Sequence, residues 1–189
     1  MAGARHSHEV RIIGGHYKRS KLPVADAAGL RPTPDRVRET LFNWLGQDLS
    51  GWVCVDAFAG SGALGFEAAS RGAREVRMFE QDAALAASLS AQAQRLGARQ
   101  VQVRRGDGIT GLKGCEAASL DLVFIDPPYA AGLHDAALAA AAAALKPGGW
   151  LYLEAAQAWD ASQCEARGYS LARHLRAGAV HAHLLQPIA

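Results

Sequence analysis

The segment Val53–Gly65 constrains the fold of this chain more than any other. A short apolar run, Val53 to Ala57, leads into a glycine-rich turn and then into a helix-forming stretch. Gly60, Gly62 and Gly65 match the pattern G-x-G-x-x-G, in which glycines let the backbone approach a bound ligand closely. A strand, a glycine turn and a helix in this order are typical of an α/β protein with a parallel sheet.

The alternation of strand and helix continues along the chain and predicts a Rossmann-like, mostly parallel sheet with right-handed crossovers. We predict strands at Val53–Ala57, Glu75–Glu80, Gln100–Arg104, Leu120–Ile125 and Trp150–Glu154, and helices at Ala63–Arg71, Ala83–Leu96, near Ile109 and at Leu133–Leu145. Two last strands, Tyr169–Leu175 and Val180–Gln186, are joined by a hairpin signal and should add an antiparallel strand at the far edge of the sheet.

The N-terminal region predicts a small separate element. Strands at Glu9–Ile13 and Tyr17–Val24 flank Gly14-Gly15, which can form a hairpin turn. Thr33 is then the predicted N-cap of a helix, and Pro34 its first residue. We therefore predict a basic arm and hairpin over residues 1–30 and the main α/β domain over residues 31–189.

The charge distribution indicates a polyanionic partner. Residues 1–40 carry eight Lys and Arg against four acids, which is 8 − 4 = +4, and the remainder carries 12 − 14 = −2. A basic segment on a nearly neutral body is typical of nucleic-acid binding, although a solvated basic tail has the same composition. For the charges around the helix start, including Arg38, spacing alone favours a solvent-exposed position. The candidate phosphate contacts are Arg11, Lys18, Arg19, Lys21, Arg31 and Arg36.

The cysteines and the hydropathy indicate a cytoplasmic protein. Cys54, Cys115 and Cys164 form no C-x-x-C pair, as expected for reduced thiols. No run approaches the roughly 20 apolar residues of a membrane span, and no membrane partner is expected. His181 and His183 alternate on one strand without further ligands, so we interpret them as edge-strand residues and predict no metal site.

Three acids at predicted strand ends indicate a nucleoside cofactor. Glu80 ends the strand after the glycine turn, where an acid can accept hydrogen bonds from ribose hydroxyls. Asp56 lies in the turn itself and would repel a pyrophosphate, which favours S-adenosylmethionine over a dinucleotide. Asp107 closes the third strand and could accept from an adenine amino group. The predicted cofactor-binding residues are Thr33, Asp56, Ala59, Gly60, Ser61, Gly62, Glu80, Gln81, Asp107 and Gly108.

The stretch Leu120–Tyr129 supplies candidate catalytic residues. A strand of apolar residues must end at Asp126, because Pro127 and Pro128 cannot donate to a sheet ladder. Asp126 and the carbonyl of Pro127 can both accept from an exocyclic amine, and Tyr129 can stack on its base. Such an arrangement would align an unstacked or flipped base with an activated methyl group.

Several segments together resemble the bacterial 16S ribosomal RNA guanine-N2 methyltransferases. They are Arg11–Gly15, Arg31–Thr33, Asp35–Leu45, Asp56–Gly65 and Asp126–Tyr129. The resemblance implies a class I methyltransferase fold with a seven-stranded sheet, one strand of which is antiparallel. It also implies 16S rRNA as the partner of the hairpin, with Asp126 and Tyr129 at the target guanine. We expect a monomer that acts on a small-subunit particle.

Other functions remain open from the residues alone. Asp-Pro-Pro-Tyr is shared with DNA and RNA methyltransferases that act on adenine N6 or cytosine N4, so the motif does not choose the base. A nucleotide-linked oxidoreductase would use the same glycine turn, but it predicts nicotinamide binding and gives the two prolines and Tyr129 no role. An RNA-binding module without catalysis would make Asp126 dispensable.

Overall fold

The alternating segments build one mixed sheet and a small hairpin in the computed structural model, which describes residues 9–25, 30–128 and 132–189. The strands are β1 Glu9–Arg11, β2 Lys21–Pro23, β3 Val53–Asp56, β4 Glu75–Glu80, β5 Val101–Arg105, β6 Leu120–Ile125, β7 Leu145–Ala155, β8 Tyr169–Ala177 and β9 Val180–Pro187. The helices are α1 Asp35–Trp44, α2 Ala63–Ser70, α3 Ala83–Leu96, α4 Gly108–Lys113, α5 His134–Ala144 and α6 Ala161–Glu165. Within the described ranges, none of the helices combines the length and the apolar character that crossing a bilayer requires.

The main sheet has seven strands in the order β5-β4-β3-β6-β7-β9-β8. The first five are mutually parallel, whereas β9 runs antiparallel to both of its neighbours. The predicted fold class, with one antiparallel strand and a small N-terminal hairpin, is thus confirmed. The predicted position of that strand is wrong, because β9 lies one place in from the edge and β8 forms the edge.

The position of β9 also corrects the interpretation of its histidines. His183 is fully buried, and its ring Nε2 accepts a 2.9 Å hydrogen bond from the amide of Trp159. Burial lowers the pKa of His183 to about 4, so the ring is neutral at physiological pH. His183 is therefore a core residue rather than an edge-strand residue, and His181 faces His174, with their ring nitrogens 3.0 Å apart.

Hydrophobic clusters cover both faces of the sheet. Leu122 and Phe124 of β6 pack with the hairpin, α1 and α2, while Val123 and Ile125 pack with α4 and α5. Side chains of one strand alternate between two buried faces, which explains why the central strands are continuous apolar runs. The two helical layers fix the carboxyl ends of the parallel strands at one edge of the molecule.

The N-terminal hairpin is shorter than predicted, and its glycines have a different role. β1 and β2 pair over three residues each, and Val10 and Leu22 are buried in the core. Gly14 and Gly15, predicted to form the turn, instead contact the end of α2, where Ser70 Oγ donates a 2.5 Å hydrogen bond to the carbonyl of Gly14. The turn itself is formed by residues 16–19.

The start of α1 also differs from the prediction. The helix begins at Asp35, Pro34 is the N-cap residue, and no side chain caps the helix. Thr33, predicted as the cap, directs its hydroxyl to the carboxylate of Glu154 at 3.1 Å instead. A tertiary hydrogen bond has replaced the local one.

A buried ionic cluster, here called the Glu67 junction, joins the hairpin to α1 and α2. The carboxylate of Glu67 accepts hydrogen bonds from the amides of Ile13 and Gly14 and from the guanidinium groups of Arg38 and Arg71, at 2.9–3.1 Å. Arg38 is fully buried, and it also donates to the carbonyls of Arg11 and Thr33 and contacts Asp35. The expected surface position of Arg38 is therefore wrong.

Candidate active site

The glycine turn after β3 lies against the end of β4. Gly62 precedes α2 with φ of 81°, a left-handed conformation that glycine adopts without strain. The amide of Gly60 donates a 2.9 Å hydrogen bond to Glu80, and the amide of Ala59 donates to the carbonyl of Phe79 at 3.0 Å. Ser61 is half-buried between Gly60 and Gly62. The structure therefore places the predicted turn residues and Glu80 side by side.

Asp56 ends β3 beneath this turn and is almost completely buried, with 1% of its surface exposed. Its Oδ2 accepts a 3.2 Å hydrogen bond from the amide of Gly65, whereas Oδ1 forms no hydrogen bond of normal geometry with any residue that the structure describes. Burial raises the pKa of Asp56 to about 7, although the amides of Phe58 and Gly65 favour the ionised form. An unpaired carboxylate oxygen of this kind suits a cationic or hydrogen-bond-donating ligand.

Gln81, Asp107 and Gly108 meet at the ends of β4 and β5. Asp107 is the N-cap of α4, and Gln81 Nε2 donates to it at 3.3 Å. Hydrogen bonds from the hydroxyl and the amide of Thr110 lower the pKa of Asp107, so it is ionised at neutral pH. A Cβ on Gly108 would lie 1.8 Å from the carbonyl oxygen of Ala57, so only glycine permits this close approach. The three residues stand at one end of the glycine turn.

The predicted catalytic residues follow β6, the strand next to β3. Asp126 is half-buried, Pro127 is buried and Pro128 is exposed. Burial, and next a hydrogen bond with the side chain of Glu154, raise the pKa of Asp126 well above its ordinary range. Tyr129, the predicted base-stacking residue, lies outside the described residues.

Glu154 is the residue of this site that the sequence analysis missed. It lies near the end of β7 and is 2% exposed. Its carboxylate accepts hydrogen bonds from the hydroxyls of Tyr152 at 2.9 Å and Thr33 at 3.1 Å. The rule that drew attention to Glu80, an acid at the end of a predicted parallel strand, also applies to Glu154.

Four acids thus stand at the carboxyl ends of four adjacent strands, in the order Glu80, Asp56, Asp126 and Glu154. They influence one another, because Glu80 and Glu154 raise the pKa of Asp56, and Asp56 raises that of Asp126. This set, here called the acid row, attracts a cation and repels a pyrophosphate. The unpaired Oδ1 of Asp56 and the acid row therefore fit a ligand with sulfonium and ammonium groups, as in S-adenosylmethionine.

The six predicted RNA-contact residues fall into two groups. Arg31 and Arg36 are exposed on either side of Thr33, whose hydroxyl reaches Glu154 in the acid row. Lys18 and Arg19 are exposed beside the far end of α2, an eight-residue helix about 12 Å long that starts at the glycine turn. Of the two hairpin strand residues, Arg11 is exposed and Lys21 forms a 3.0 Å ion pair with Glu9.

The strand order and the acid row together define a class I methyltransferase fold. A family described as Conserved hypothetical protein 95 matches residues 10–186. Ribosomal RNA small subunit methyltransferase D of Escherichia coli is 42% identical over 149 residues, which cover 79% of this chain and 73% of that protein. The Haemophilus influenzae protein of the same name is 42% identical over 151 residues, 77% of this chain and 78% of the relative. The chain therefore belongs to the family described as Conserved hypothetical protein 95.

Solved structures agree with this assignment. The protein yhhF of Escherichia coli superposes with a TM-score of 0.80 at 36% identity, covering 96% of this chain and 99% of the other. A Thermus thermophilus 16S rRNA methyltransferase, solved with AdoMet and guanosine, has a TM-score of 0.75 at 23% identity and covers 97% of this chain and 50% of its own. At that identity the second comparison supports the fold alone.

Proposed function

We propose that the chain transfers a methyl group from S-adenosylmethionine to the exocyclic N2 of a guanine in 16S ribosomal RNA. The observation that carries this proposal is the position of Asp126, which follows β6 directly beside the glycine turn and Asp56 of β3. A candidate amine acceptor therefore adjoins a candidate site for a cationic methyl donor. The curated relatives, named as small-subunit ribosomal RNA methyltransferases, support ribosomal RNA as the substrate.

The chain's own residues would bind and align the reactants. Glu80 would accept from ribose hydroxyls, Asp107 and Gln81 would face the adenine, and Asp56 would face the amino-acid moiety. S-adenosylmethionine supplies a methyl group that its sulfonium already activates. Alignment is then the main requirement, and positioning of this kind lowers a barrier by several kcal/mol.

At the target base, the carboxylate of Asp126 and the carbonyl of Pro127 would accept the two hydrogens of the amine and direct its lone pair at the methyl carbon. The carboxylate would also stabilise the positive charge that develops on nitrogen. Tyr129 would stack on the flipped base. The choice of guanine N2 over adenine N6 or cytosine N4 rests on the resemblance carried by Arg31–Thr33 and Asp35–Leu45.

The two groups of basic residues support an RNA substrate larger than the target nucleotide. Arg31 and Arg36 would contact phosphates near the acid row, and Lys18 and Arg19 would contact them beyond the far end of α2. We propose a folded segment of 16S rRNA in a small-subunit particle as the substrate, bound by a monomer in the cytoplasm. Residues 1–30, predicted as a basic arm and hairpin, would hold RNA for the domain over residues 31–189.

Radiolabelled methyl transfer to small subunits that lack the modification, followed by nucleoside analysis, tests the proposal. We expect N2-methylguanosine; methylated adenine or cytosine would contradict the choice of base, and no transfer would contradict the function. Asp126→Ala should abolish transfer while S-adenosylmethionine still binds. Asp121→Asn, at the other end of the same strand, is the matched control and should leave the rate unchanged.

A further inference from the structure

The buried carboxylate of Glu154 has no role in the function proposed above. Burying an ionised carboxylate costs several kcal/mol unless hydrogen bonds or an opposite charge compensate. Among the described residues no cation pairs with Glu154; instead the hydroxyls of Tyr152 and Thr33 donate to its two oxygens. The segment before α1 thus meets β7 at this one side chain.

Besides the two hydroxyl groups, a second acid, Asp126, lies beside Glu154. β6 and β7 are adjacent and parallel, and Ile125 lies opposite Leu153, so the next residues, Asp126 and Glu154, follow side by side. A hydrogen bond with Glu154 contributes, after burial, to the raised pKa of Asp126. Two carboxyl groups form a hydrogen bond only when a proton lies between them, so the pair shares a proton. Burial favours the protonated form of Asp126, so Asp126 is the proton donor of the pair.

We infer that Glu154 is a positioning residue of the reaction centre, which holds Asp126 through a shared proton and releases that proton when a cationic methyl donor enters the acid row. The inference rests on the function proposed above. The shared proton orients the Asp126 side chain while the site is empty. Only the O–H bond of the pair changes, and the proton passes to solvent.

The surroundings of the pair give the direction of this effect. The titratable groups nearby are Asp56 of β3, Glu80 of β4 through Asp56, and His134 of α5, whose ring nitrogen lies 2.9 Å from the carbonyl oxygen of Glu154. Asp56 opposes ionisation of the pair, so the empty site retains the proton. A sulfonium beside these acids favours the ionised forms, and a ligand that prefers the ionised state displaces the proton. Asp126 then becomes the charged acceptor that an amine requires.

Calorimetry in buffers of different ionisation enthalpy measures the protons released when S-adenosylmethionine binds. We expect release near pH 7 by the natural chain and by Asp121→Asn, and clearly smaller release by Glu154→Gln, because this variant lacks the carboxyl group that shares the proton with Asp126. Equal release by Glu154→Gln and the natural chain would overturn the inference. Failure of the natural chain to bind S-adenosylmethionine would instead contradict the proposed function.

The pH dependence of kcat/KM for S-adenosylmethionine separates positioning from a merely structural role. Glu154→Gln removes the shared proton, so the acidic limb should move to lower pH by about one unit or more. Thr33→Val removes a donor to the ionised pair, so the limb should move to higher pH. A structural role would lower the rate at every pH without moving the limb. A fixed limb in Thr33→Val would overturn the inference even if Glu154→Gln did not fold.

Discussion

The carboxylate of Glu80 accepts a 2.9 Å hydrogen bond from the amide of Gly60, so the end of β4 holds the glycine turn that follows β3. Its other oxygen accepts from the amide of Asp82 at 3.0 Å. Each carboxylate oxygen has a second lone pair, so ribose hydroxyls can bind without displacing either amide. Glu80 therefore shapes the turn and remains available to the cofactor.

Replacing Glu80 by Ala should weaken S-adenosylmethionine binding by about tenfold or more, because a hydrogen bond to a charged group contributes about 1.5–3 kcal/mol. Calorimetric titration measures the change. Glu75→Ala, at the other end of β4, is the matched control and should bind normally. Unchanged affinity in Glu80→Ala would remove this residue from the site.

The raised pKa of Asp56 predicts that Asp56→Asn alters the pH dependence of stability. Burial raises this pKa from 3.8 to about 7, so the folded state binds the proton more tightly than the unfolded state does. Ionisation of the buried Asp56 therefore leaves the free energy of unfolding unchanged below about pH 4. By about pH 7 it lowers that free energy by about 4 kcal/mol, and the loss stays constant at higher pH. Denaturation from pH 4 to pH 8 should show the natural chain losing stability relative to Asp56→Asn. Parallel curves would contradict this assignment.

The separation of the basic residues predicts two kinds of RNA-binding defect. Changing Lys18 and Arg19 to Gln should weaken RNA binding without changing kcat at saturating RNA. In a plot of the logarithm of the binding constant against the logarithm of the salt concentration, the slope should become shallower by about one unit per lost phosphate contact. Changing Arg31 and Arg36 should reduce the slope and also lower kcat, because these residues flank Thr33 at the acid row. An unaltered slope in the Lys18 and Arg19 variant would identify that end of the hairpin as merely solvated.

The Glu67 junction predicts a large and local loss of stability. Glu67→Gln leaves Arg38 and Arg71 with a neutral partner in a buried position, which costs about 3–5 kcal/mol in the free energy of unfolding. Asp35→Asn removes a partner of the same Arg38, but the Asp35 side chain is 71% exposed and its ion pair contributes about 0–1 kcal/mol. Urea denaturation compares the two variants, and similar losses would contradict the importance of the junction.

Strand ends were predictable from the sequence, whereas buried charges were not. The apolar runs, the alternation of strand and helix, and the prolines located Asp56, Glu80 and Asp126 at one edge of the sheet, because a strand signal is local. Arg38 looked like a surface residue, since its burial depends on Glu67, 29 positions further along the chain. Its distant partner leaves no local signal.

Competition between local and distant hydrogen bonds explains the errors at Thr33 and Gly14. Both positions have suitable local chemistry, a cap and a turn, but each contacts a residue far away in sequence: Glu154 in one case and Glu67 in the other. Glu154 itself ended a predicted strand but belonged to no motif. The roles proposed for the remaining site residues, Tyr129 among them, stay predictions.

The position of β9 between β7 and β8 has a consequence for how the chain assembles. β8 precedes β9 in sequence yet lies outside it, so we expect the two strands to form a hairpin that docks on β7 as a unit. Until then the edge of β7, where Glu154 pairs with Ala182 of β9, is unprotected. A folding intermediate without the hairpin would carry an open strand edge prone to aggregation, and Glu154, the last member of the acid row, would lie on that edge.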